Sequence, residues 1–175
     1  MKQTISRFDE FLFEQGLAFS GVVIGGAALI ILNVISRFTE DIDFLCPRIP
    51  PEIKTASQLF AKQNPKLNLK KDWVNNGPES LIMDLPEGWR LRLNPIFNGK
   101  ALKLTTLGRP DLLKSKLFAY CDRQEDIEDC IALAPSLAEL KDALDWLADR
   151  DTNPAWPKHC ETSLIALAGR LGYEW

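Results

Sequence analysis

The sequence predicts an α+β fold, a small mixed β-sheet with flanking helices followed by a helical C-terminal half. Three observations lead there. Short strand-like runs, separated by glycine and proline turn signals, all fall before residue 108. Apolar residues at helical spacing dominate from residue 109 onward. The 175-residue chain, 46% hydrophobic and 26% charged, is long enough to bury a core without disulfide or metal staples. Residues 1–108 are therefore expected to form the α/β core, and residues 109–175 a helical extension packed on it as part of one structural domain.

Ile5 to Leu17 reads as an amphipathic helix, with Ile5, Phe8 and Leu12 on one face and Phe11 beside them. Ser20 to Ile24 reads as a short buried strand. Gly25 and Gly26 then turn into a second helix, Ala27 to about Asn33, apolar nearly all round and so expected to be buried. "DIDFLC", Asp41 to Cys46, is the next strand. "PPEIKTASQLFAKQN" opens with proline where a first helical turn tolerates it, and continues as helix to about Asn64. Between Pro65 and Gly108, "SLIMDL", "WRLRLNPIF" and "KALKLTTL" read as strands divided by "PEG" and "NG" turns. Asp111–Tyr120, Glu125–Ala134 and Ser136–Ala148 read as helices, the last opening on "SLAE", the pattern of a capping box. The tail is expected to end in one more helix.

Composition narrows the function classes. A net charge of −3 gives no global basic field, so a nucleic-acid partner would need a local patch. Arg90, Arg92, Lys100 and Lys103 are candidates for such a strip, or equally for a charge-protected sheet edge. The longest apolar run, Val22 to Leu32, is too short to span a bilayer. "MKQTISRFDEFLFEQ" mixes acids with its apolar residues and has no signal-peptide pattern. Cys46, Cys121, Cys130 and Cys160 form no CxxC pair, which fits free thiols in a reducing cytoplasm. The single histidine, His159, lies in a proline-flanked segment and argues against serine or cysteine hydrolase chemistry.

The segment "VVIGGAALIILNVISRFTEDIDFLCPR" holds the main chemical candidates. In a strand, alternate side chains share a face, so Asp41 and Asp43 point together while Ile42 and Phe44 point to the core. Two carboxylates held close repel each other, and a cation between them removes that cost. Oxygen ligands that leave positions open for water and phosphate describe a Mg²⁺ site better than an all-protein calcium cage. The alternative is a pair of solvent-facing acids on an edge strand. Upstream, Gly25 and Gly26 at a strand–helix junction allow backbone amides to approach an anion closely. Phosphate-cradling glycines followed by a metal-binding DxD make both halves of a site for a Mg-nucleotide.

This order resembles the nucleotidyltransferase superfold. "GGAALIILNVISRFTEDID" is similar to the first motif of small bacterial nucleotidyltransferase-like proteins related to the toxin component of the AbiE abortive-infection systems. The matching residues are Gly25, Gly26, Arg37, Thr39, Asp41 and Asp43. "DWVNNGPESL", "LPEGWRLR" and "GRPDLLKSKLFAYCDRQEDIEDCIALAPS" resemble later segments of an uncharacterised branch, so the likeness runs from about Val22 to Trp146. It implies a minimal nucleotidyltransferase fold in the first half, with Asp41 and Asp43 on Mg²⁺ and Gly25, Gly26, Arg37 and Thr39 on the nucleotide. It also implies transfer of NMP from an NTP to an RNA (a tRNA end among them) or a protein hydroxyl. The implied setting is a toxin–antitoxin or phage-defence system with a small antitoxin partner. A catalytically inactive nucleotide-binding or interaction module on the same fold is the rival.

A second cluster lies downstream. Leu112, Leu113, Leu117 and Tyr120 form an apolar stripe, and Lys116 falls inside it, so its ammonium must snorkel or meet an anion. Asp126 and Asp129 follow, one helical turn apart. Either Lys116 and Arg123 fasten two helices through these acids, or Lys116 offsets phosphate charge while Asp126, rather than Asp129, orients it. The resembling toxins carry a downstream lysine and aspartate used in the second way. A third carboxylate, which active nucleotidyltransferases add from a later strand, has no counterpart in "WRLRLNPIF", where Arg90, Arg92 and Asn94 share a face. Asp84 is the nearby aspartate, and it sits before a turn.

Overall fold

The computed structural model describes residues 1–36 and 39–175. Within them the chain folds as two compact units, Met1–Gly108 and Arg109–Trp175.

The first unit is built on a five-stranded mixed sheet. Its strands are β1 (Phe19–Ile24), β2 (Ile42–Cys46), β3 (Val74–Asn75), β4 (Asn94–Asn98) and β5 (Leu102–Thr106), in the order β3-β2-β1-β5-β4. β1 runs antiparallel to β2 and parallel to β5. β2 and β3 are parallel, and β4 returns antiparallel to β5. Helices α1 (Lys2–Glu14), α2 (Gly25–Ile31) and α3 (Pro51–Gln63) flank it.

One face of the sheet carries Phe19, Val23, Ile42, Phe44, Leu102 and Leu104 into a core with α1 and α3. The helical spacing of Ile5, Phe8 and Leu12 delivers all three to that core. Phe8 packs 5.3 Å from Phe60 of α3 and 5.1 Å from Trp73, ring centroid to centroid. Trp73 is wholly buried, and its indole N–H donates to the Ser57 carbonyl at 3.0 Å, so the ring goes inside without a stranded donor. Asp9, also buried, ties α1 to the β4–β5 turn. Its carboxylate accepts from the backbone N–H groups of Lys100, Ala101 and Leu102 at 3.0, 2.9 and 2.7 Å.

Between α3 and β4 the structure departs from the sequence expectation. "SLIMDL" is not a strand, because Gly77–Met83 forms 3-10 turns, with Asp84 N–H bonded to the Leu81 carbonyl at 3.0 Å. Trp89–Arg92 is another 3-10 turn, so Arg90, Arg92 and Asn94 do not share a strand face and the strand begins at Asn94. The cause lies in Asn76. Its amide nitrogen donates to the carbonyls of Phe44 (2.9 Å) and Pro47 (3.2 Å), and its oxygen accepts from Ile49 N–H at 2.8 Å. One side chain thus takes up the backbone groups at the end of β2, and the following Gly77-Pro78 turns across that strand instead of extending the sheet.

The second unit is helical, with α4 (Arg109–Arg123), α5 (Ile127–Ala132), α6 (Leu137–Ala148) and α7 (Trp156–Arg170). α6 opens on the capping box expected from "SLAE": Glu139 N–H donates to Ser136 Oγ at 3.2 Å and Ser136 N–H to Glu139 Oε2 at 2.9 Å. Phe118 sits edge-on to both Trp146 and Trp156, and the Trp156 indole N–H donates to the Leu147 carbonyl at 2.8 Å. α5 is shorter than expected. Gln124 and Asp126 both adopt left-handed backbone (φ 55° and 64°), so the chain turns sharply before the helix starts at Ile127.

Candidate functional site

β1 ends at Ile24, and α2 starts directly on Gly25 and Gly26, so both glycines belong to the helix's first turn rather than to a loop before it. Gly25 has φ +70°, a conformation that L side chains rarely adopt. A Cβ at that position would lie 2.8 Å from Asp43 Oδ2. The glycine is thus required twice, by its backbone and by the carboxylate beside it.

Asp43 stands in β2 paired with Ile24 of β1 on one side and Asn75 of β3 on the other. Asp41 precedes the strand and is half-buried. Thr39 Oγ1 donates to Asp41 Oδ1 at 3.1 Å, which orients that carboxylate. Arg37 lies outside the described residues. The two carboxylates, the glycine pair and Thr39 therefore belong to one neighbourhood at the β1–α2 junction and the start of β2.

Two residues of this neighbourhood were not legible as site candidates. Lys70 reaches Glu40 at 2.5 Å. The Glu40 carboxylate, bonded to it, holds the Lys70 ammonium above the usual lysine range, with Asp41 and Asp72 adding to the effect. Asn75 enters by strand pairing alone. No local pattern marks either, since each comes from a distant stretch of chain.

The second cluster is described within the second unit. Lys116 Nζ lies 2.7 Å from Asp129 Oδ2 and 3.2 Å from Asp126 Oδ2. Its side chain is 7% exposed, that of Asp129 2% and that of Asp126 25%. Arg123 Nη2 approaches Asp126 from outside at 3.8 Å. The left-handed turn at Asp126 brings its carboxylate back over Lys116. Burial pushes the neighbouring Cys130 thiol up to about 12, against the opposing pull of Lys116. One ammonium thus serves two carboxylates, with Asp129 sealed inside and Asp126 reaching solvent. Asp84, in the first unit, follows the 3-10 segment Gly77–Met83.

Among the described residues no group of three or more histidine, cysteine, aspartate or glutamate side chains is placed to hold a metal ion. Two carboxylates alone would leave most of an ion's shell to water and substrate oxygens.

A mixed α+β sheet flanked by helices, with a glycine junction set against an acidic strand, is consistent with a nucleotidyltransferase-like fold. The chain belongs to the family described as "Nucleotidyltransferase of unknown function (DUF6036)", whose model matches residues 2–148. Comparisons with curated proteins and with solved structures find no match. No helix among the described residues is long and apolar enough to cross a membrane.

Proposed function

We propose that the protein is a magnesium-dependent nucleotidyltransferase that moves NMP from an NTP to a hydroxyl of an RNA, such as a tRNA end, or of a protein. The observation that carries this reading is the meeting of Gly25 with Asp43 in a chain of nucleotidyltransferase family. Asp41 and Asp43 would hold Mg²⁺, and their oxygen-only chemistry and their places just before and within β2 suit it. Bound there, the ion would supply Lewis-acid stabilisation to the triphosphate.

The protein's own residues do the remainder. Thr39 keeps Asp41 oriented, and Gly25 and Gly26 leave bare backbone beside the carboxylates for phosphate to approach. Arg37 offsets the charge that develops on phosphate. The acceptor oxygen bonds to the α-phosphorus, its proton passes to solvent, and the bond to the bridging oxygen breaks to release pyrophosphate. Such a transfer asks mainly for positioning and electrostatics.

The resemblance to the AbiE toxin component extends the proposal to a toxin of a toxin–antitoxin or phage-defence system, restrained by a small antitoxin protein. Its four cysteines are free thiols, which supports a reducing cytoplasm. One observation favours a rival. The sheet neighbours of Asp43 are the uncharged Ile24 and Asn75, which suits a catalytically silent nucleotide-binding or interaction module.

Labelling separates the two. Each α-labelled NTP is incubated with Mg²⁺, total RNA and the protein. The enzyme reading expects labelled acceptor and pyrophosphate, abolished in folded Asp41→Ala and Asp43→Ala. Nucleotide binding with no transfer to RNA or protein would establish the silent module.

A further inference from the structure

The neighbours of Asp43 are set by strand register, and one of them is polar. Asn75 pairs with Asp43 in the parallel β2–β3 ladder, so the two side chains share a face of the sheet. Adjacent strands lie roughly 4.8 Å apart, which puts a half-buried amide beside the carboxylate. The register is firmly held although β3 is short. Asn76, the next residue, is bonded to the Phe44 and Pro47 carbonyls and to Ile49 N–H.

The amide's orientation is also determined. Gly77 N–H donates to Asn75 Oδ1 at 2.6 Å, and a backbone N–H can only donate, so the oxygen must face it. A Cβ at Gly77 would lie 2.9 Å from that oxygen, so glycine is what lets the loop close this tightly. Nδ2 therefore occupies the opposite side of the amide, and among the described residues it donates to none. Two N–H donors held in place by strand pairing and a turn, next to an acidic pair, are a device for an anion.

We infer that Asn75 is a further polar member of the nucleotide site, donating from Nδ2 to a phosphate oxygen of the bound nucleoside triphosphate. The inference rests on the nucleotide reading of Asp41 and Asp43. A neutral donor serves a polyanion where a third carboxylate would repel both the phosphates and Asp43.

The test uses ligand-dependent thermal unfolding of wild type, Asn75→Ala and Asn75→Asp, with Mg-ATP, Mg-GTP, Mg-CTP, Mg-UTP and, separately, Mn²⁺ alone. Asn75→Asp keeps an oxygen toward Gly77 N–H and replaces only the donor, so it preserves the turn. Both variants are expected to bind the preferred nucleotide roughly tenfold or more weakly, as befits a lost hydrogen bond to a charged group. Mn²⁺ alone should bind Asn75→Ala as it binds wild type, and Asn75→Asp more tightly. Wild-type nucleotide affinity in Asn75→Ala would overturn the inference even if Asn75→Asp were weakened, since charge alone would then explain the loss. Should Asn75→Ala fail to fold, wild-type affinity in Asn75→Asp overturns it equally. If the wild type binds no nucleotide, the nucleotide reading itself fails and the inference with it.

Discussion

Gly25 and Asp43 meet at the junction of β1, α2 and β2, where a Cβ on the glycine would lie 2.8 Å from Asp43 Oδ2. The contact joins the two halves of the motif into a single neighbourhood, and it predicts the behaviour of the smallest substitution. Gly25→Ala must adopt φ +70° with a Cβ and displace the carboxylate. A non-glycine residue there costs about 1–3 kcal/mol. Chemical denaturation should read that loss. Nucleotide binding should fall further than the stability change explains, because Asp43 has moved.

Lys116 makes the second prediction, because its two partners differ in burial. Replacing it by Met leaves two carboxylates facing each other, with Asp129 sealed from solvent. Removing one partner of a buried ion pair costs about 3–5 kcal/mol, so Lys116→Met and Asp129→Asn should both unfold well below the wild-type midpoint. Asp126→Asn keeps the 2.7 Å pair to Asp129 and should cost about 1 kcal/mol or less. Its transfer activity should nevertheless drop if Asp126 positions Lys116 for catalysis. Full activity in Asp126→Asn would leave the cluster with a fastening role alone.

The start of α6 carries a pH dependence. The hydrogen bond from Ser136 N–H, with Arg109 assisting, holds the Glu139 carboxyl below its usual value of 4.5. A lowered folded-state pKa means that the stabilisation is complete above 4.5 and is lost as pH falls through the folded value. Ser136→Ala should cost about 1 kcal/mol at neutral pH. Glu139→Gln should flatten the acid limb of the stability profile, measured by denaturation below pH 4.5.

Thr106 is wholly buried in β5, and its Oγ1 has no hydrogen-bond partner among the described residues. An unmet buried polar group costs about 1–3 kcal/mol. Thr106→Val keeps the shape and removes the hydroxyl, so it should raise the unfolding midpoint or leave it unchanged. A clear loss of stability would mean that the hydroxyl has a partner in solution.

Much of this was legible in the sequence because the signals were local. Asp41, Asp43, Gly25 and Gly26 lie within one short stretch, although Asp41 precedes β2 and strand alternation reaches only Asp43. Lys116 was conspicuous as a cation inside an apolar stripe. Which aspartate it prefers was not, since that depends on the left-handed turn at Asp126. "SLIMDL" reads as a strand because a short apolar run has no decisive period, and the bonds that make it 3-10 belong to Asn76 and the far end of β2. Asn75 was invisible for the same reason. Its place beside Asp43 is a property of strand register, which a two-residue strand barely announces.

The central claim is that Asp41 and Asp43 form the nucleotide site, and thermal unfolding with and without ligand tests it most directly. Wild type and Asp43→Asn are heated with ATP, GTP, CTP or UTP, each with and without Mg²⁺. A ligand at a hundred times its dissociation constant stabilises by about 2.7 kcal/mol, and in a chain of this size each kcal/mol moves the midpoint by roughly 2–4 °C. The expected result is a Mg²⁺-dependent rise with at least one nucleotide that disappears in Asp43→Asn. A wild type that no nucleotide stabilises, or a rise that persists undiminished in Asp43→Asn, would contradict it.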